Sequence, residues 1–297
     1  MSEKERAIKK ILITGYSGLC GSYIGKCLQT VDDRYSVFTT SRNEISKPQH
    51  IAHNLLEPLS LSEFPRKIDC VIHCAARVDE HDNSYAVIDH NLRSSFHVMR
   101  YALKSRANCF INLSSIAVYG KPNTSIPINE KFITIPLTSY GFSKLLVENL
   151  AISMLSNKMR VINLRLGYVL GPKIPDKYML SRFKEKLKKR ENVHLINPDS
   201  TRFSFVDVSD IARACEILIK TNHEGIFNLV GDEAPTVRDV FEEIRKYFPH
   251  VDSAVTESID KNDTFAVIFS NDKAKKVLEI IFKSYRDSFK NIFAKYY

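Results

Sequence analysis

The feature that most limits how this chain can fold lies near its amino-terminal end, where a short apolar run precedes closely spaced glycines. The run is Lys10–Thr14 (KILIT), and the segment after it, GYSGLCG, has glycines at positions 15, 18 and 21. The apolar run predicts a buried strand, and the pattern that continues to about Thr30 predicts a helix. Glycines at such a junction permit a tight turn and a close approach of the backbone to a pyrophosphate. The free N–H groups of the helix's first turn favour the same anion, so the segment predicts a dinucleotide-binding unit.

Further short apolar runs alternate with helical patterns along the first 170 residues. The predicted strands are Lys10–Thr14, Tyr35–Thr40, Ile51–His53, Asp69–His73, Cys109–Leu113 and Arg160–Leu164. Two helices are predicted at Asn83–Ser105 and Ser139–Asn157. Such alternation is typical of a parallel sheet with helices on both faces. We therefore expect an α/β fold, a Rossmann-type doubly wound parallel sheet with a smaller C-terminal α/β lobe.

After Gly171 the sequence pattern becomes more irregular and more basic, and prolines interrupt it. Short elements continue through Phe203–Val206, Asp210–Lys220, Ile226–Val230 and Thr236–Tyr247. We predict a nucleotide-binding Rossmann domain at residues 1–170. Residues 171–297 are then mainly a substrate-binding lobe, interleaved with elements that return to the first domain.

The cysteines and the apolar runs limit the compartment and the metal chemistry. None of the six cysteines forms a CxxC pair. Buried free thiols in a reducing compartment are therefore expected, with no metal site and a cytoplasmic location. No apolar run is long enough for a membrane span, and Met1–Lys10 has no apolar core of a secretory signal.

The net charge of +9 raises the question of a nucleic-acid partner. The densest basic run is Lys184–Arg190 (KEKLKKR), and Phe183 and Leu187 stand at helical spacing around it. This pattern is typical of an amphipathic surface helix with a solvated basic face. We expect a small-molecule substrate, with neither a nucleic-acid nor a membrane partner.

The end of the second strand bears on the identity of the dinucleotide. NAD-binding proteins usually place an acidic residue there to bind the ribose 2′-hydroxyl, whereas this chain has Thr40-Ser41-Arg42. Arg42 can pair with a 2′-phosphate, and Ser41 can donate a hydrogen bond to it. The sequence therefore favours NADP, with NAD as the alternative cofactor. Arg42 could also be an ordinary surface arginine that binds no cofactor.

Two further segments carry residue types suited to proton transfer. Tyr140 and Lys144 are four residues apart, which places both side chains on one helix face. An ammonium group lowers the pKa of a neighbouring tyrosine, which then can exchange the proton of a substrate hydroxyl. Ser115 follows a parallel strand at the sheet edge where ligands bind, and can hydrogen-bond a substrate oxygen. We expect Ser114 only to cap the turn at the strand end.

Together these motifs resemble the extended short-chain dehydrogenase/reductase family, in particular its nucleotide-sugar epimerases, dehydratases and ketoreductases. The resemblance rests on TGxxGxxG, on His73-Cys74-Ala75-Ala76, on SSxxVYG and on YxxxK, in that order. It continues in Arg165–Pro172 (RLGYVLGP), in Arg202–Asp207 (RFSFVD), and in Gly225–Val237 and Asn271–Leu278, which are similar to the family's later helices. The likeness covers nearly the whole chain, and the combination is specific although each motif alone is weak.

The resemblance implies roles for individual residues. Ser115, Tyr140 and Lys144 would be catalytic, with Lys144 also holding the nicotinamide ribose, and Asn91 would anchor the helix after the fourth strand. The expected cofactor-binding residues are Gly15, Ser17, Gly18, Leu19, Gly21, Ser41, Arg42, Asn54, Leu55, Cys74, Ala75, Ala76, Tyr140 and Lys144. The expected substrate-binding residues are Tyr168, Arg202 and Lys261. Family members commonly form homodimers through two helices from each subunit.

Several positions depart from the family pattern. Asn54 stands for the usual aspartate near the adenine, and Tyr168 for the usual asparagine beside the substrate diphosphate. Only Lys261 is available where the family has a second arginine, which weakens the nucleotide-sugar inference. Ile116-Ala117 stands where 4,6-dehydratases carry an Asp-Glu pair, so water elimination lacks its acid and base. A 4-ketoreductase or a 4-epimerase is therefore the leading hypothesis. A reductase of a smaller carbonyl compound and a non-enzymatic cofactor-binding sensor or RNA-associated scaffold are the alternatives.

Overall fold

A computed structural model of the chain describes residues 8–31, 33–78, 84–172, 178–260 and 265–296. The strands are β1 (Lys9–Thr14), β2 (Tyr35–Ser41), β3 (His50–Ala52), β4 (Cys70–His73), β5 (Cys109–Ser115), β6 (Arg160–Leu166), β7 (Tyr168–Leu170), β8 (Val193–Ile196), β9 (Phe205–Asp207), β10 (Gly225–Leu229) and β11 (Val255–Ser258). The α-helices are α1 (Leu19–Val31), α2 (Tyr85–Lys104), α3 (Ser139–Leu155), α4 (Met179–Lys188), α5 (Val208–Lys220), α6 (Val237–Arg245), α7 (Asp272–Leu278) and α8 (Tyr285–Phe293). Every strand predicted in the first 170 residues is present, with ends that differ by at most two residues.

Seven parallel strands form the central sheet in the order β10-β6-β5-β4-β1-β2-β3. The order reverses between β1 and β4, which is the point where ligands bind in doubly wound sheets. Both faces of the sheet are covered, as its apolar strands require. In β1, Ile11 and Ile13 pack with α1 and α5, whereas Leu12 faces the other way toward α2 and α3. The predicted Rossmann-type fold is confirmed.

Later parts of the chain return to this sheet. The strand β10 adds to its edge beside β6, and α5 packs against α1. Residues 225–229 therefore form a strand. The comparison of Gly225–Val237 with a later family helix is wrong for this part of the segment. The division of the chain at residue 170 stays a prediction, since these elements lie on both sides of it in space.

The remaining elements form a smaller C-terminal lobe with its own core. Apolar side chains of α4, α6 and α8 meet those of β8 there. Phe183 and Leu187 are buried in this core, as the basic amphipathic pattern predicts, and the helix begins earlier, at Met179. Two short parallel pairs complete the architecture: β8 pairs with β11 inside the lobe, and β7, which follows β6 directly, pairs with β9.

Candidate active site

The glycine-rich turn is shaped by close backbone contacts. Gly15 has a φ of +69°, and a Cβ there would lie 2.7 Å from the backbone nitrogen of Ala75. A Cβ on Gly21 would lie 2.4 Å from the Gly15 carbonyl oxygen. A Cβ on Gly18 would meet only that same oxygen, at 3.3 Å, so this glycine keeps open space above the start of α1. Ser17 and Gly18 are exposed, and the turn fits a pyrophosphate at the helix N-terminus.

A directed chain of hydrogen bonds supports the floor of this turn. The backbone N–H of Ala75 donates to Thr14 Oγ1 over 3.3 Å, and Thr14 Oγ1 lies 2.8 Å from His73 Nδ1. His73 Nε2 lies 2.9 Å from Ser95 Oγ, which donates to the Asn91 carbonyl oxygen. Since the Ser95 hydroxyl gives its one proton to the Asn91 carbonyl, its oxygen accepts from His73 Nε2, so the neutral imidazole carries its proton on Nε2 and Nδ1 accepts from the Thr14 hydroxyl. Burial, with Lys144 nearby, lowers the pKa of His73 to about 3, so this histidine is neutral.

Asn91 joins this chain to the helix that carries Tyr140 and Lys144. Its side chain accepts from the Arg77 N–H and donates to the Arg77 carbonyl oxygen. It also donates to Ser143 Oγ over 2.9 Å, and Ser143 donates to the carbonyl oxygen of Tyr140. The role of Asn91 as an anchor was expected from the family resemblance. The structure shows that it fixes α3 relative to α2 and to the segment after β4.

Tyr140 and Lys144 lie in the first turns of α3, and both are nearly buried, with 7% and 4% exposure. Burial lowers the pKa of Lys144 to about 8, while the nearby Cys74, Glu148 and Cys20 act in the opposite direction. Cys20 begins α1 and Cys74 follows β4. The ammonium therefore lies beneath the glycine-rich turn, at the carboxyl ends of the central strands.

Ser115, rather than Ser114, caps the turn after β5. Ser115 Oγ accepts from the Ala117 N–H at 3.1 Å, whereas the Ser114 hydroxyl points into the core and donates to Glu148. The expectation that Ser114 caps this turn is therefore wrong, because strand alternation sends its side chain to the opposite face. The turn packs directly on α3: a Cβ on Gly141 would lie 2.6 Å from the Ala117 carbonyl oxygen. The glycine thus lets Ser115 approach the helix that carries Tyr140.

Glu148 is one turn beyond Lys144 and forms a buried ion pair that the sequence reasoning missed. Arg165 donates from Nη2 and Nε to its carboxylate, with the shorter contact at 2.7 Å. The guanidinium also lies 4.7 Å from the centre of the Tyr119 ring, and Tyr119 donates to Asn228. The spacing of Glu148 from Lys144 was visible in the sequence, but its partner on β6 depends on the sheet.

The end of β2 is arranged differently from the sequence-based expectation. Ser41 is buried and its hydroxyl donates to the Asn43 carbonyl oxygen, so its proton is already engaged and is not offered to a phosphate. Arg42 is exposed. Lys47 lies close by and donates to the Tyr16 hydroxyl over 2.8 Å. Asn54, at the expected adenine contact, is exposed and accepts from the Leu56 N–H, and Leu55 is buried. Of the two side chains expected to contact a 2′-phosphate, Arg42 is therefore the exposed one.

A cleft of about 650 Å³ opens between the sheet edge and the C-terminal lobe. Its lining includes Ser115, Ile116, Ala117 and Tyr168 from the sheet side. That size is within the range of small-molecule sites. Tyr168 packs edge-on against Phe203, with ring centres 5.2 Å apart, so this wall of the cleft is aromatic.

The other two expected substrate contacts have different outcomes. Arg202 is not part of the cleft lining in the described ranges, although its neighbours Thr201 and Phe203 are. Its Nη1 atom donates to the Ala234 carbonyl oxygen over 2.9 Å. Lys261 lies outside the described residues. Lys121, Arg182 and Lys186 line the cleft instead, and the sequence reasoning did not single them out as site residues.

Three further observations concern the cysteines, metal binding and membrane-spanning helices. All six cysteines are free thiols, and Cys109 is in the core as expected. The described part of the chain holds no cluster of three or more potential metal-binding side chains. Within the same ranges no helix is both long and apolar enough to cross a bilayer.

Comparison with known proteins identifies the family. The model of the NAD-dependent epimerase/dehydratase family matches residues 11–229, about three quarters of the chain. The chain belongs to this family. The chain is also similar to a putative UDP-glucose 4-epimerase of Methanocaldococcus jannaschii, with 24% identity over 90% of this chain and 92% of that protein. The expectation of an NAD(P)-dependent enzyme of the extended short-chain dehydrogenase/reductase type is confirmed at this level.

Solved structures share the whole fold with this family member. UDP-glucuronic acid 4-epimerase from Bacillus cereus, in complex with UDP-glucuronic acid and NAD, has a TM-score of 0.84 and 21% identity. The match covers 97% of this chain and 98% of the epimerase chain. The structure of RMD from Pseudomonas aeruginosa complexed with NADPH has a TM-score of 0.82 at 20% identity, with 97% and 99% covered. Similar folds therefore hold either dinucleotide.

Proposed function

We propose that the protein is an NADP-dependent enzyme that reduces a 4-keto group of a nucleotide-sugar or epimerises its C4 carbon. The observation that carries this proposal is the position of Ser115. Its side chain lines the large cleft, and the turn that follows it packs on the helix bearing Tyr140 and Lys144. A substrate in the cleft would contact Ser115 directly, whereas Tyr140 and Lys144 are not in the described lining and lie on the helix behind the turn that follows Ser115.

In this proposal Tyr140 and Ser115 act on the oxygen of the reacting carbinol carbon, and Lys144 acts on Tyr140. Tyr140 Oη exchanges the proton with that oxygen, and Ser115 Oγ holds it by a hydrogen bond. The Lys144 ammonium favours the tyrosinate form, because opposite charges stabilise each other in a buried setting. When bound, the nicotinamide supplies hydride transfer at the carbinol carbon.

The cleft lining argues against a dehydratase. Ile116 and Ala117, at the positions of the acid pair in 4,6-dehydratases, both line the cleft. Neither side chain can protonate a leaving hydroxyl. Reduction and epimerisation need only the proton exchange at one oxygen, which Tyr140 can perform.

The preference for NADP rests on Arg42 and on the missing acid at the end of β2. An exposed guanidinium can bind a 2′-phosphate in a bidentate manner, and no carboxylate stands at Thr40 or Ser41 to oppose it. NAD is the alternative. The NADP preference favours a reductase over an epimerase, since an epimerase regenerates its cofactor and gains nothing from a reduced pool.

A reductase of a smaller, apolar carbonyl compound is the second candidate. Tyr168, Phe203 and Phe205 form an aromatic wall in the cleft, and such a wall suits an apolar ligand. A non-enzymatic sensor or RNA-associated scaffold is disfavoured, because Tyr140 and Lys144 are both retained in a buried arrangement.

We also propose a homodimer in the cytoplasm. Phe96 on α2 and Phe142 and Ile152 on α3 are between 37% and 45% exposed, and a four-helix contact between two subunits would cover them. The free thiols fit a reducing compartment. Analytical ultracentrifugation should give twice the chain mass, and Phe96→Glu should give a monomer. A monomeric wild type contradicts the homodimer.

The function is tested by calorimetric titration with NADPH and NADH, followed by titration of the NADPH complex with UDP-, GDP-, CDP- and dTDP-sugars. Tight binding of NADPH and of one nucleotide-sugar is expected, with product detected by chromatography. Tyr140→Phe should bind both ligands as the wild type does and turn over at least about a hundredfold more slowly. Binding of NADPH without any nucleotide-sugar favours the small-carbonyl reductase, and full activity of the variant refutes the mechanism.

A further inference from the structure

The charged groups of the cleft all have the same sign. Lys121, Arg182 and Lys186 line it, and no carboxylate contributes to the lining among the residues that the structure describes. The rest of the lining is mainly apolar or aromatic. In such surroundings a cation attracts an anion more strongly than at an open surface. The cleft is therefore suited to an anionic ligand with an apolar or planar part.

Two of these cations belong to one face of α4. Met179, Arg182, Phe183 and Lys186 occupy positions i, i+3, i+4 and i+7 of a helical stripe, and all four line the cleft. The helix is held in place by the lobe core, where Leu180, Phe183 and Leu187 are buried. Arg182 and Lys186 are thus presented together, one turn apart, on a fixed element.

The acidic residue of α4 leaves this pair unneutralised. Glu185 pairs with Lys184 at 3.1 Å and with Lys188 at 3.8 Å. Lys186 Nζ donates to the Asn192 carbonyl oxygen, which is an uncharged acceptor. No carboxylate lies within ion-pair distance of Arg182 or Lys186 in the described ranges. The sequence predicted only a solvated helix face for the basic run Lys184–Arg190. One residue of this run, Lys186, faces the cleft.

The residue expected to bind the substrate diphosphate is oriented elsewhere. Arg202 donates to the Ala234 carbonyl oxygen, and Asp239, on the first turn of α6, interacts electrostatically with it. Its guanidinium is thus engaged by the loop before α6, outside the cleft lining. A diphosphate in the cleft needs other cations.

We propose that Arg182 and Lys186 form the phosphate-binding pair of this enzyme and bind the diphosphate of its substrate. This inference rests on the nucleotide-sugar function proposed above. Arg182 supplies a planar donor fork that can bind two oxygens of one phosphate, and Lys186 supplies a compact charge one turn away for the other. The pair would place the nucleotide against α4 and direct the sugar toward Ser115.

The test uses the full-length protein loaded with NADPH and titrated with UDP, dTDP, GDP and CDP. The nucleoside diphosphate that binds most tightly is then titrated into Arg182→Gln, Lys186→Gln and the double variant. The matched control is the double variant Lys188→Gln/Lys189→Gln, which removes two charges from the same helix outside the cleft lining. Titration with the corresponding nucleoside, which has no phosphate, is the ligand control.

Each cleft substitution should weaken binding of the diphosphate roughly tenfold, and the double variant at least about fiftyfold, as expected for charge-assisted hydrogen bonds. The nucleoside, NADPH and the control variant should show changes of less than about threefold. If the double cleft variant binds the diphosphate as the wild type does, the phosphate-binding pair is refuted while the nucleotide-sugar function stands. If the wild type binds NADPH but none of the four diphosphates, both proposals are refuted.

Discussion

Replacing His73 with glutamine should remove a large part of the acid sensitivity of the folded protein. The imidazole is buried, and its proton lies on Nε2 because the Ser95 hydroxyl donates to Asn91 and can only accept from the ring; Nδ1 then accepts from Thr14. A second proton would have to lie between Nδ1 and the Thr14 hydroxyl, where a donor is already present. The buried cation would also lie near the Lys144 ammonium. Folding therefore requires a neutral His73.

The sign of the effect follows from the two pKa values of His73. In the unfolded chain the ordinary value is 6.5, whereas burial lowers it to about 3 in the folded protein. Between these values the unfolded chain binds more protons than the folded one, so the free energy of unfolding falls as the pH falls. From pH 7 to pH 5 this single group should cost about 2 kcal/mol, and the loss continues at about 1.4 kcal/mol per pH unit down to about pH 3.

Urea unfolding at pH 7 and pH 5 measures this difference. In His73→Gln the amide can still reach Ser95, and the variant should lose about 2 kcal/mol less than the wild type between the two pH values, whatever its stability at pH 7. His194→Gln is the matched control, since His194 also contacts two hydroxyls but is exposed. It should keep the pH dependence of the wild type. Equal losses in the wild type and in His73→Gln would refute the neutral buried imidazole.

Three further substitutions test other parts of the structure. Arg42→Asp should shift the ratio of NADPH to NADH affinity at least about tenfold toward NADH, and an unchanged ratio in titrations would contradict the 2′-phosphate assignment. Asn91→Ala should lower the free energy of unfolding by about 2–3 kcal/mol, because the buried Ser143 hydroxyl loses its donor and the Arg77 N–H loses its acceptor. Glu148→Ala should cost about 3–5 kcal/mol, because it leaves the Arg165 charge buried without its carboxylate. Urea unfolding at pH 7 measures both losses, and either variant with wild-type stability would argue against the corresponding contact.

Local features of the sequence were sufficient to predict the fold class and the groups nearest to the sheet. The strand–glycine–helix unit predicts its own geometry, since the close contact at Gly21 is with the Gly15 carbonyl of the same turn. The alternation of apolar runs predicts a parallel sheet, because short buried strands joined by helices have few other arrangements. The four-residue spacing of Tyr140 and Lys144 likewise specifies one helix face.

These sequence patterns could not predict contacts between residues far apart in the chain. Ser114 and Ser115 are equivalent by composition, and only the pleat of β5 against α3 sends one to Glu148 and the other to the cleft. Ser41 has the right residue type for a phosphate contact, but its proton is engaged by the folded loop that follows β2.

The sequence by itself determined the Rossmann-type sheet, the glycine-rich turn and the identities of the residues suited to proton exchange. Tertiary structure alone decided which charges face the cleft: it turned Arg202 toward Ala234 and brought Arg182 and Lys186 to the lining. The reason is physical. Periodicity records which side of an element is apolar, whereas the direction of a polar side chain depends on the partners that other elements bring to it.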